Sequence, residues 1–256
     1  VVGHDDDGKL LIDMTEATGI DSMGVYRSAE RKTTSKIRLL SRQQQIVRID
    51  EEIKLSLSVS DEHKMIDLLL RAIQIDKPDV LIFEDYNKGV LTPLLIEKVI
   101  SHCKAVGVMT AVDPKQDHFF AYVGVDLFKP NLRELFQAFS SQYVSLTDSV
   151  LLDMHQQLNE KLGHKVSLFT LSERGVYVAD AKESHWLPAH VRSISDVSGA
   201  GDTVISVAAM CLAAKSGLKL AAALSNLAGG IVCEKPGVVA ISREELSEGA
   251  SLLSAL

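Results

Sequence analysis

From about residue 79 the sequence alternates short, strongly apolar runs with segments of helical pattern. No other feature constrains the fold as much. Residues 79–83 form a compact run of the buried-strand type, and Thr92-Pro93 supplies an N-cap and first helical residue for a helix to about Ala105. Residues 106–112 are again strand-like, and 126–128 lead into Lys129-Pro130. A polar helix over 147–162 ends at Gly163, the residue type that closes helices in the left-handed conformation, and 166–171 follow as another strand. Two long apolar helices, about 200–215 and 219–233, close the pattern. Strand–helix alternation of this kind predicts an α/β fold, a mostly parallel sheet flanked by helices.

The stretch before it has another period. Residues 36–40, 46–49 and 53–59 alternate apolar with polar positions and carry many charges, which predicts a small, half-exposed antiparallel ribbon. With no repeat and no linker, residues 1–256 are expected to form a single domain bearing this appendage within about 33–60.

Bulk properties exclude several classes. The net charge of −7 argues against nucleic acid or an anionic membrane as partner. The longest apolar run, 204–214, is broken by Ser206 and is too short for a membrane span. Cys103, Cys211 and Cys233 lack CxxC spacing, the pattern of reduced buried thiols in a cytoplasmic protein. The histidines show no HxxxH or HExxH pairing for a transition metal.

One segment carries chemistry. In Asp196-Val-Ser-Gly-Ala-Gly-Asp-Thr203, three small residues (Gly199, Ala200, Gly201) open an apolar helix. The first amides of a helix have no intrahelical acceptor, and without bulky side chains the backbone can close around a phosphate. Asp202, one residue further, is placed to take the proton of an attacking hydroxyl while the amides stabilise a transferring phosphoryl group. On spacing alone, a glycine-rich loop with an ordinary first-turn aspartate reads equally well.

The segment resembles the C-terminal signature of the ribokinase-like (PfkB) carbohydrate kinases. That resemblance implies Asp202 as catalytic base and Gly199, Ala200 and Gly201 as the anion hole. Asn131-Leu132-Arg133-Glu134 resembles the family's NxxE motif, which implies Asn131 and Glu134 near Mg²⁺ and the phosphates of ATP. The run Thr170 to Gly175 resembles the family's TLGxxG nucleotide segment, so Ser172, Glu173 and Gly175 are nucleotide-site candidates, Ser172 standing where many relatives have glycine. By the same analogy Asp196, with 233–240, marks a monovalent-cation loop that would take K⁺.

Other motifs are similar to the heptose-phosphate kinases within this family. Thr34-Ser-Lys-Ile-Arg38, Arg42-Gln-Gln-Gln45 and Arg48-Ile-Asp50 resemble their KxR, RxQQ and LRID stretch. Glu84-Asp-Tyr-Asn-Lys-Gly89 resembles their SDYxKG turn with glutamate in place of serine, and Asp113-Pro-Lys115 their DPK. The resemblance implies a lid over the sugar. Lys36, Arg38, Arg42 and Arg48 are the phosphate candidates on it, Lys88 and Lys115 could also meet phosphate, Asp85 would orient hydroxyls, and the lid can pair two subunits as a homodimer. Arginine forks and lysine charges are how proteins hold the roughly two negative charges of a phosphate. A solvated, edge-protecting face explains the same charges.

The implied reaction is transfer of the ATP γ-phosphoryl group to C1 of a heptose 7-phosphate, within ADP-heptose synthesis. Another kinase of the family, and a nucleotide-binding remnant without turnover, are the alternatives. The family's opening strand and GGxxxN segment have no counterpart before Val1, which resembles the following GxDxxG segment. No HxGH nucleotidyltransferase motif is found, so the expectation is the kinase alone.

Overall fold

A computed structural model describes residues 1–41, 44–139, 146–190 and 194–251. The chain divides into two compact units, residues 1–77 with 86–102, and residues 78–85 with 103–256.

In the first unit a two-residue parallel pair joins β1 (Val2–Gly3) to β2 (Arg27–Ser28), and α1 (Asp6–Ala17) lies between them in sequence. Asp5 starts that helix: its carboxylate accepts from the Gly8 amide at 2.8 Å, the Thr33 amide at 2.9 Å and the Thr33 hydroxyl at 2.6 Å. Those hydrogen bonds hold the Asp5 carboxyl below its ordinary range, the Thr33 side chain contributing most. The GxDxxG segment is therefore a helix start. The ribbon is present as β3 (Ser35–Ser41) and β4 (Gln44–Glu51), antiparallel, with an irregularity between Leu39 and Leu40.

The third alternating run does not join the ribbon. No strand forms at 53–57, and α2 (Val59–Asp76) begins inside the expected one, capped by the Ser58 hydroxyl on the Asp61 amide. The reason is Arg31. Its guanidinium donates to the carbonyls of Ile53 (2.9 Å), Leu55 (2.7 Å) and Lys88 (2.6 Å), and the Leu57 amide donates to the Gly89 carbonyl. The acceptors a ladder would need are already used. Helix α3 (Pro93–Val106) starts as expected, the Thr92 hydroxyl accepting from the Leu95 amide.

The second unit holds a six-stranded sheet. In chain order its strands are β5 (Val80–Glu84), β6 (Met109–Asp113), β7 (Leu127–Phe128), β8 (Val166–Thr170), β9 (Val176–Ala179) and β10 (Ser184–Leu187). They lie side by side in that order; β5 to β8 run parallel, and β9 and β10 add antiparallel. Strand β6 begins later than its apolar run because Val106 still belongs to α3 and Gly107 turns the chain with φ +79°. The helices are α4 (Leu132–Phe139), α5 (Asp148–Leu162), α6 (Ala200–Ala213), α7 (Leu218–Cys233) and α8 (Arg243–Ser251). Thr147 caps α5, and Gly163 closes it in the left-handed conformation, as the sequence predicts.

The core of this unit is small-residue packing. Ala111, Leu127, Leu168, Val176 and Val178 of the sheet meet Val204, Ile205, Ala208 and Ala209 of α6, with Leu218 and Ala222 of α7. Gly229 of α7 faces α6 so closely that an added methyl would stand 2.6 Å from Val204. That contact sets how closely α6 and α7 pack. Among the described residues no helix is long and apolar enough to cross a membrane.

A buried polar trio ties α5 to β8. The Ser167 hydroxyl lies 2.8 Å from His155 Nδ1 and 2.6 Å from His164 Nε2, all three side chains being buried. Burial, then the neighbouring histidine, pushes His164 down to about 4; burial also lowers His155. A histidine with a depressed folded pKa adds stability fully above its unfolded pKa near 6.5 and loses it as pH falls toward the folded value. Urea melts should therefore show about 2 kcal/mol less stability at pH 5 than at pH 7 from His164 alone. H164Q should narrow that difference, and an equal difference in the variant would refute the assignment.

Candidate active site

Parallel pairing brings the C-terminal ends of β5, β6 and β7 to one edge, where open α/β sheets place ligands. Glu84 and Asp113 end their strands as register partners, so their side chains share a face. It is the face of Ile82 and Ala111, which pack in the core with α6. Asp202, in the first turn of α6, joins them: one oxygen from each of Glu84, Asp113 and Asp202 lies within 4.8 Å of the others. Burial first, then the charges of Asp113 and Asp202, push the Glu84 carboxyl up to about 7 against the opposing effect of Lys129 and Lys115.

Two lysines stand against this acidic group. Lys115 Nζ is 3.1 Å from Asp113 Oδ1 and 2.9 Å from Glu134 Oε1, while Lys129 Nζ is 3.0 Å from Asp113 Oδ2. Sequence reading selected Lys115 but passed over Lys129 and Glu84 as site residues. The signals were there, a lysine directly after an apolar strand and a glutamate where the motif expects serine.

The anion-hole candidates Gly199, Ala200 and Gly201 lie at the start of α6. Gly199 is the N-cap with φ +80°, a conformation that favours glycine, and its carbonyl accepts from the Thr203 amide and hydroxyl, both at 2.9 Å. A methyl on Gly201 would lie 3.5 Å from Asp113 Oδ2 and 3.7 Å from Lys129 Nζ, so the cradle floor adjoins the ion pair. Asp196 anchors the preceding loop. Its carboxylate accepts from the amides of Ser198 (2.9 Å) and Gly237 (3.1 Å), which hold it below the ordinary range.

Asn131 and Glu134 cap α4 reciprocally. Asn131 Oδ1 accepts from the Glu134 amide at 2.9 Å, and Glu134 Oε2 from the Asn131 amide at 2.8 Å. Leu132 and exposed Arg133 complete that first turn. A charged chain thus runs Glu134–Lys115–Asp113–Lys129. Ser172 and Glu173 are exposed on a short 3₁₀ turn. The φ of Ser172 is +55°, which accounts for glycine at that position in the resembled motif.

The acceptor-side candidates divide between the units. In the first, Lys36 and Arg38 are exposed on β3, and Lys88 pairs with Glu52. Arg38 is the register partner of Arg48, which pairs with Asp50 at 2.9 Å. Arg42 lies outside the described residues. In the second unit Asp85 is only 3% exposed and accepts from the buried Tyr122 hydroxyl at 2.8 Å. With Phe83 it takes the sheet face opposite Glu84, and Phe83 also touches the Tyr122 ring.

Residues 1–245 match the model of the pfkB family carbohydrate kinases. The chain belongs to that family. Members similar to it include two proteins named bifunctional protein HldE. That of Methylobacillus flagellatus is 35% identical over 97% of the chain, and that of Desulfatibacillum aliphaticivorans 37% over 96%. The chain spans about half the length of these curated relatives, 50% of each. Among solved structures, phosphofructokinase-2 from Escherichia coli in complex with potassium superposes with TM-score 0.80 at 14% identity, over 99% of this chain and 81% of that one. Ribokinase from Giardia lamblia gives TM-score 0.76 at 19% identity, over 99% and 81%. The fold is the ribokinase-like α/β fold.

Gly175 offers a direct test of how the turn between β8 and β9 is built. Its φ is +86°, and an added methyl would stand 2.0 Å from the Leu187 carbonyl oxygen. G175A should lower stability by about 2–3 kcal/mol, combining left-handed strain with a backbone clash. A thermal melt within a degree of the wild type would contradict that packing.

Proposed function

We propose that the chain is a kinase domain that phosphorylates a heptose 7-phosphate at C1, giving the 1,7-bisphosphate and ADP, as a step in ADP-heptose synthesis. The observation that carries this reading is Asp202 in the first turn of α6, directly after the Gly199–Gly201 cradle and beside the ends of β5 and β6. The HldE relatives support a heptose phosphate as the acceptor.

In this reading the acceptor hydroxyl attacks the γ-phosphorus in line. Its oxygen forms the new P–O bond, the bond to the bridging oxygen breaks, and ADP leaves with that electron pair. Asp202 takes the hydroxyl proton. Backbone amides of the Gly199–Gly201 segment, at the start of α6, face the charge that builds on the phosphoryl oxygens. The hard oxygen donors fit a divalent cation: Asn131 and Glu134 are assigned to Mg²⁺, and Glu84 and Asp113 are further oxygen donors at the strand ends. When bound, the cation neutralises phosphate charge at a site that otherwise repels it. Ser172, Glu173 and Gly175 are assigned to ATP, and the Asp196 loop to a monovalent cation such as K⁺.

Lys36, Arg38 and Arg42 are assigned to the acceptor's phosphate, with Lys88 and Lys115 as further candidates. Ile37 pairs with Ile49 and Leu39 with Val47 on one face of the β3–β4 ribbon, all four about half exposed. That face supports a homodimer formed through the ribbon. Asp85 is assigned to orienting the acceptor, with its Tyr122 hydrogen bond holding it in place.

The test is ADP release from Mg·ATP with heptose 7-phosphate, fructose 6-phosphate, ribose and no sugar. Heptose-dependent release should fall about 10³-fold or more in D202N. Release with fructose 6-phosphate alone would move the reading to another kinase of the family. Nucleotide binding with no sugar-dependent release would support a binding remnant. R38A should raise the KM for heptose 7-phosphate about tenfold, as loss of a charge-assisted phosphate contact does, and leave the KM for ATP unchanged. An unchanged acceptor KM would remove Arg38 from the site.

A further inference from the structure

We propose that Lys129 is a positioning residue for phosphoryl transfer, a fixed cation beneath Gly201 that orients the Asp113 carboxylate and holds positive potential at the anion hole. The proposal rests on the kinase reading of the same site and assigns a residue that reading does not use.

Burial is the first observation. The Lys129 side chain is 2% exposed, and taking an ammonium out of water costs several kcal/mol before any ion pair offsets it. Stability alone does not account for such a residue, because a well-packed apolar side chain there would serve as well or better. Nor does neutralising Asp113, whose other oxygen already has Lys115 at 3.1 Å.

Position is the second observation. Lys129 directly follows β7, and its amide donates to the Val112 carbonyl at 2.9 Å, so its backbone is held by the sheet. Its Nζ lies 3.7 Å from where a methyl on Gly201 would sit. The buried charge therefore lies against the Gly201 backbone, in the first turn of α6. An α6 N-terminus already favours negative charge, and a desolvated lysine at that point adds to the same field.

Charge balance is the third. Glu84, Asp113 and Asp202 crowd the edge at which a polyanionic donor must arrive. A cation that cannot move offsets part of that repulsion without reorganising during the reaction. Lys129 has a backbone anchored in the sheet, whereas Lys115 carries its charge on the loop after β6.

The test uses K129M in the whole chain, a variant of similar length that leaves Lys115 on Asp113. With the acceptor that the wild type uses, kcat should fall about 30-fold or more while both KM values stay within about threefold, the signature of an interaction felt in the transition state. Calorimetry with ADP plus aluminium fluoride, a mimic of the transferring phosphoryl group, should show about tenfold weaker binding to K129M, with ADP alone unaffected. K129R, which restores the charge, should recover most of the mimic's affinity. Unchanged kcat and mimic affinity would overturn the proposal. So would parallel losses for ADP and the mimic that follow a lowered melting temperature, which would make Lys129 a structural strut. If the wild type turns over none of the sugars, the kinase reading fails and the calorimetric comparison still decides on Lys129. Wild-type protein that binds the mimic no more tightly than ADP would sink both.

Discussion

The Asp113 carboxylate, held between Lys115 and Lys129, is the interaction around which the second unit's edge is organised. It ends β6, so parallel pairing presents it beside Glu84 of β5. Through Lys115 it reaches Glu134 and so the cap of α4, and through Lys129 it reaches the floor of the glycine cradle. Four separate pieces of chain are thereby set by one carboxylate. Charges this enclosed make sense only when each has a partner, because an unpaired one would be strongly destabilising. Asp202 then needs only the correct start of α6, which the left-handed Gly199 N-cap provides.

Much of this was legible before any coordinates. The parallel strands announced themselves as apolar runs, and the Gly199–Asp202 segment as a helix start, because both depend on local composition. Capping was equally readable: Thr92 and Gly163 act where the sequence places them. What failed had non-local causes. Residues 53–57 alternate like a strand, yet Arg31 takes their carbonyls from more than twenty residues away. Helices α1 and α2 went unread, the first hidden behind a motif that looks like a turn.

The site shows the same division. Asn131 and Glu134 were picked out by a short motif, and their reciprocal capping is as local as that motif. Glu84 and Lys129 were not picked out, since each matters through partners on other strands. Asp85 and Glu84 are neighbours in one motif, and side chains alternate along a strand. Glu84 therefore takes the face of Asp202, and Asp85 turns to Tyr122.

The β3–β4 ribbon has a consequence for handling the protein. A two-stranded ribbon leaves both outer rows of backbone donors and acceptors unladdered, and Ile37, Leu39, Ile46, Val47 and Ile49 are exposed on it. Such a surface templates cross-β stacking between molecules. Lys36, Arg38 and Arg48, together with the irregularity at Leu39–Leu40, work against it by charge repulsion and by spoiling a flat register. The basic residues of this segment therefore act also as gatekeepers of colloidal solubility. Concentrated solutions at high ionic strength, which screen those charges, are where the chain will first self-associate irreversibly.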